Sequence, residues 1–223
     1  MTALVRSAGL RLSSLLLALA GAAQTTAATL EVSVVDEEGR PIEHVAVYAM
    51  PAHGAAARPA TTPTAFMDQQ KLQFVPHLLI VQAGTSVTFP NSDEVSHHVY
   101  SFSETKEFEL PLYKGDVYPP VIFDDAGIVV LGCNIHDGML GYVVVVDTPH
   151  FAQTNERGVA VLENVPADDY AVSAWTPRVR ASGLPPAQPI VVAESGGAMK
   201  IRIAGRLAPA HQHGTSSLSW DRY

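Results

Sequence analysis

Val129-Val130-Leu131-Gly132-Cys133-Asn134-Ile135-His136-Asp137-Gly138-Met139-Leu140-Gly141-Tyr142-Val143-Val144-Val145-Val146 decides how the chain is read. Its two apolar ends, Val129–Leu131 and Tyr142–Val146, have the β-branched content and length of buried strands. Between them a Gly-bounded loop carries the chain's one cysteine, a histidine three positions later and a methionine three after that. Thiolate, imidazole and thioether are soft or borderline ligands. With one further histidine from elsewhere they make up a trigonal Cys-His-His site with a weak, long axial Met, the donor set of type 1 (blue) copper. A lone cysteine is more commonly a small buried hydrophobe. The company of His136 and Met139, on a loop strung between rigid strands, favours a metal here.

The N-terminus reads as a secretory signal peptide over 1–28. Arg6 and Arg11 accompany the apolar run Leu15–Ala20, which is too short to span a bilayer and is followed by small residues. Cleavage is expected between Ala23 and Ala28, with export to the periplasm and no membrane insertion. An oxidising compartment favours disulfides, yet one cysteine cannot form an internal one, and a metal-bound thiolate resolves that. The net charge of −8 argues against nucleic acid as a partner. No long helical periodicity is present, and sixteen Gly and sixteen Pro punctuate short Val-rich runs. The fold class is all-β.

Residues 29–50 alternate as two strands joined by a turn over Asp36–Pro41, which fits a hairpin. Pro51–Pro63, rich in Ala, Pro and Thr, reads as a linker. A denser β region follows from about Phe66 to Asp147. In it, Val121–Phe123 and Ile128–Leu131 are expected to pair as a hairpin, and Phe108–Gly115 reads as irregular or short strand. After Thr148 a further set of short strands runs to Ile203, and 207–223 reads as a tail without core-forming pattern.

A second ligand histidine must come from outside the loop, and Phe89-Pro90-Asn91-Ser92-Asp93-Glu94-Val95-Ser96-His97-His98-Val99-Tyr100 offers it. This segment, with Phe123–Cys133 and the Cys-His-Met loop, resembles the plastocyanin/azurin family of cupredoxins. The short Cys-x-x-His-x-x-Met spacing is similar to that of amicyanins, and the resemblance extends to methylamine-utilisation-type exported copper proteins. It covers 64–147 and implies a Greek-key β-sandwich holding one type 1 copper ion. Aligning Phe89, Asn91, Asp93 and Val99 places the first ligand at His97, so the metal set is His97, Cys133, His136 and Met139. His98 stands where the family usually has Asn, and it is the alternative ligand, since strand alternation lets only one of the pair face the metal. The resemblance further implies a redox partner, of cytochrome c or oxidoreductase class, that docks on an apolar patch around His136 formed by Ile135 and Leu140.

Leu30–Met50 and Thr154–Tyr170 resemble the two halves of a carboxypeptidase-regulatory-like (transthyretin-like) β-sandwich. The expected organisation is 29–63 as the first strands of that module and linker, 64–147 as a cupredoxin inserted into it, and 148–206 as its remainder. The function this implies is single-electron transfer by an exported mononuclear copper protein. The alternative is periplasmic copper binding and delivery without electron transfer. No enzymatic constellation is legible: neither a Ser-His-Asp set nor paired carboxylates can be argued, and the one His-x-His pair, His211 and His213, is too few for a multicopper oxidase. His44, His53, His77 and His150 sit singly and read as surface or locally bonded groups.

Overall fold

The computed structural model describes residues 28–53, 59, 61–115, 118–179 and 186–209. The expected signal peptide, the centre of the linker and the tail from 210 lie outside them. Among the described residues all regular structure is strand. In chain order the strands are β1 (Ala28–Val35), β2 (Ala46–Pro51), β3 (Thr64–Phe66), β4 (Asp68–Gln70), β5 (Gln73–Val75), β6 (Leu78–Gln82), β7 (Thr85–Thr88), β8 (His97–Ser103) and β9 (Lys106–Tyr113). They continue with β10 (Val121–Phe123), β11 (Gly127–Gly132), β12 (Leu140–Val146), β13 (Phe151–Gln153), β14 (Val159–Val165), β15 (Asp168–Trp175), β16 (Gln188–Val192) and β17 (Gly197–Arg202).

The central strands form a sandwich. A five-stranded sheet, ordered β6-β12-β11-β8-β9, encloses a core with the three-stranded sheet β10-β7-β3. Val99, Leu110, Val129, Leu131, Val143 and Val145 meet Val87, Phe89 and Phe123 there. The first and last strands enclose a separate core. Sheet β14-β1-β17 faces sheet β13-β2-β15-β16, with Leu30, Val32 and Val34 packed on Val47, Ala49 and Val172. Residues at opposite ends of the chain therefore pair directly: β1 with β14 and β17, and β2 with β13 and β15.

The unbroken valine run of β12 has a physical reason. Side chains alternate across a strand, so Val143 and Val145 enter the central core while Val144 and Val146 point the other way. Those two meet Ala46, Tyr48 and Trp175 from the flanking sheet, together with Leu78. Over Val143–Val146 both faces of β12 are thus dry, and a strand buried on both faces needs no polar alternation. Gly141, two residues earlier, leaves room for Phe74, which lies 2.9 Å from where a β-carbon would stand.

Two expected hairpins are absent. β1 and β2 do not pair beyond a single bridge between Val35 and Pro41. Asp36 instead closes a local turn, taking the Arg40 N–H at 2.8 Å and the Arg40 Nε–H at 2.7 Å, and the chain crosses to the opposite sheet. β10 likewise pairs with β7 and not with β11. The three residues Asp124–Ala126 carry the chain between the two sheets of the central sandwich, so Phe123 and Val129 enter one core from opposite sides. The stretch expected to be irregular near Phe108 is part of the eight-residue strand β9, paired along β8.

Candidate metal centre

β8 and β11 are neighbours in the five-stranded sheet, and their register sets Gly132 opposite Tyr100. That brings the end of β11, where Cys133 follows, alongside the start of β8, where His97 stands. Burial along β8 alternates, with His97, Val99 and Ser101 inside, so His97 points into the sandwich and is fully buried. His98 points outward, and its Nε2 lies 2.8 Å from Glu109 Oε1. Between β11 and β12 the loop makes two tight turns. The Met139 N–H donates to the His136 carbonyl at 2.9 Å, which turns Met139 inward, where it is buried in the same core cluster as Cys133.

Three ligand atoms converge as a result. Cys133 Sγ lies 3.5 Å from His136 Nδ1 and 3.8 Å from His97 Nδ1, and the two Nδ1 atoms are 3.2 Å apart. Among the described residues this trio forms a cluster able to hold a metal ion, all three atoms lying within 4.8 Å of one another. The spacing fits a single ion: bonds of about 2.0 Å to nitrogen and 2.3 Å to sulfur, opened to about 105–125°, separate donors by roughly 3.2–3.8 Å.

The far side of His97 explains its orientation. His97 Nε2 lies 3.0 Å from Asp93 Oδ2. A carboxylate accepts there, so Nε2 carries a proton and Nδ1 is the ring atom that faces the cluster. Asp93 is itself fixed, accepting the Leu72 N–H at 2.7 Å and the Glu94 N–H at 3.0 Å. Burial alone would raise its carboxyl, but the Leu72 N–H, the His97 ring and the Glu94 N–H outweigh that and hold it below its ordinary value. Leu72 reaches Asp93 from the β4–β5 turn, where Lys71 and Leu72 both adopt left-handed backbone, with φ of 52° and 60°. That conformation is costly for such side chains. His136 is held below its ordinary imidazole value, first by burial and then by the His97 ring, with Asp93 pulling the other way. A neutral imidazole is what a metal requires.

In the sequence Asp93 reads as a loop residue that helps align the segment, with no role toward the ring, although its position four before His97 was a signal that it reaches it. Asn91 bridges the same loop, donating from Nδ2 to the Val95 and Tyr113 carbonyls and accepting the Asp93 N–H. The other described histidines stand elsewhere: His44 near Glu43, His53 near Asp169, His77 on the Leu140 carbonyl, and His150 against the Tyr170 ring. His211 and His213 lie outside the described residues.

No family model matches the sequence, and no curated protein does. Among solved structures, a purple cupredoxin from Nitrosopumilus maritimus is 25% identical over 37% of this chain and 99% of its own, with a TM-score of 0.34. The reduced state of an amicyanin mutant is 28% identical over 44% of this chain and 99% of its own, also at 0.34. A second amicyanin mutant, in its oxidised form, is 23% identical over the same shares at 0.35.

Proposed function

We propose that the chain is a mononuclear copper protein. More particularly, we read it as a type 1 copper protein that carries single electrons, exported to the periplasm behind its leader. The observation that carries this reading is the convergence of His97 Nδ1, Cys133 Sγ and His136 Nδ1 on one point. Cys133 and the two histidines would hold the ion, with the thioether of the buried Met139 as a further, weaker donor. Copper, when bound, supplies a reversible one-electron change. The chain's own residues do the rest: Asp93 fixes the His97 ring, and the core around Cys133 and Met139 excludes water. A thioether in the set gives little reason to select zinc. The first and last strands, paired with each other around a core of their own, support the proposal that the central sandwich of 64–147 is inserted into a carboxypeptidase-regulatory-like module.

The test is the visible spectrum of the copper-loaded mature protein. An intense thiolate-to-Cu(II) charge-transfer band is expected. Stoichiometric copper without that band would replace electron transfer with storage or delivery, and no copper uptake would end the metal reading.

Asp93→Asn separates the orienting carboxylate from the ligands. Losing a partner of this kind costs metal affinity about 10- to 100-fold. A chelator competition titration is expected to show that loss with the coloured site retained, and affinity equal to the native protein's would remove Asp93 from the site.

A further inference from the structure

A cavity of about 440 Å³ opens where the central sandwich meets the flanking sheets, a volume within the range of small-molecule sites. Pro76, Leu78, Leu140, Tyr142, Pro177 and Pro209 give it an apolar wall. Gly138 and Leu140, on either side of Met139, bring the metal loop to its edge. The sequence after β15 places a cation there. Pro177 lacks the N–H that would continue the strand, and the chain turns, the Val179 N–H donating to the Thr176 carbonyl at 3.3 Å. Arg178 stands on that turn, half-buried. Its carbonyl accepts the Ala208 N–H at 2.7 Å, and its Nε–H donates to the Ala208 carbonyl at 2.9 Å. Backbone and stem are thus fixed, while the two Nη groups have no acceptor among the described residues. Arg178 also lines a neighbouring cavity, but the acids there are engaged elsewhere: Asp36 and Glu38 with Arg40, and Glu37 with the Gly205 N–H.

We propose that this cavity binds a small monocarboxylate with an apolar, ring-sized body. The guanidinium fork of Arg178 takes the carboxylate in two parallel hydrogen bonds, and the prolines and Tyr142 take the body. Charge decides the class. Arg178 is the one permanent cation on the lining, and Glu43, half-buried there with its carboxylate 3.8 Å from His44 Nε2, repels a second negative charge. A doubly charged phosphate monoester is therefore disfavoured against a carboxylate. His77 lines the cavity too, with Nδ1 3.0 Å from the Leu140 carbonyl, and so ties the wall to the end of the metal loop. A ligand held at Arg178 and against Leu140 bridges the flanking sheets to that loop, which gives the flanking module a role of its own. Binding here does not rest on the copper reading, so it is measured without metal.

The experiment titrates phenylacetate into the ¹⁵N-labelled, metal-free full chain, with phenylacetamide, acetate and phenyl phosphate as comparison probes. Amide shifts are expected at 43–44, 138–142 and 176–179 with phenylacetate, saturating in the roughly millimolar range that suits a ligand of this size. Phenylacetamide, which keeps the body and loses the charge, and acetate, which keeps the charge and loses the body, are each expected to bind at least about tenfold more weakly. Arg178→Gln is expected to cost phenylacetate at least about tenfold in affinity, and Arg206→Gln, on the neighbouring cavity, to cost nothing. Gln153→Trp, at an exposed wall position away from Arg178, fills the cavity and is expected to weaken binding at least about tenfold with the fold retained by circular dichroism. Equal binding of phenylacetamide, tighter binding of phenyl phosphate, or shifts confined to other residues would overturn the proposal. So would no saturable binding of phenylacetate up to about 10 mM, or native affinity in either folded cavity variant.

Discussion

Cys133→Ser is expected to abolish the visible absorption of the copper-loaded protein completely. The colour of a type 1 site comes from the thiolate, and a serine hydroxyl offers neither the charge nor the covalency. The remaining donors, His97 and His136, still present their Nδ1 atoms 3.2 Å apart, so residual, colourless copper binding is the expected remainder. The substitution is small and the residue buried, so circular dichroism should report an intact all-β fold. Retention of the native band in the serine variant would remove Cys133 from the metal site.

Trp175→Ala is expected to destabilise the chain by about 3 kcal/mol, at the lower end for a buried Trp because the side chain lies at a seam and not deep in a core. Trp175 is 8% exposed and packs with Ala46 and Tyr48 against Val144, Val146 and Leu78 of the central sheet. Its ring stands 5.6 Å from that of Tyr142. Truncation leaves a cavity where the two pairs of sheets meet, and for a chain of this size the melting temperature should fall by roughly 6–12 °C. Because the seam holds the two cores together, calorimetry should also resolve one native transition into two. A loss below about 1 kcal/mol with a single transition would show that the seam contributes little.

Much of the site could be read from the residues because its chemistry is local. Cys133, His136 and Met139 sit within one loop, and the valines on either side announce strands. His97 against His98 could not be decided in that way. Outward-facing Tyr100 and Phe102 are as apolar as inward-facing Val99, so the polar alternation that marks a half-buried strand is missing from β8. Pairing partners were harder still. The turns at Asp36–Pro41 and Asp124–Gly127 look like hairpin turns, and only the choice of opposite sheet, a long-range property, makes them crossovers. Asp93 was hidden for the same reason. Its role depends on a backbone N–H from Leu72, brought by a separate hairpin.

A run of valines has no sense of its own phase. Slide β12 by one residue, and Val143 and Val145 trade places with Val144 and Val146, leaving both of its dry faces as greasy as before. What resists that slide is the notch at Gly141, since any residue with a β-carbon brought under Phe74 would collide with it. One glycine thus keeps time for the whole strand, and through it for the loop that ends at Leu140. Lengthening or shortening that loop would have to be absorbed between Cys133 and Met139, where the ligands are, and not by the strand behind them.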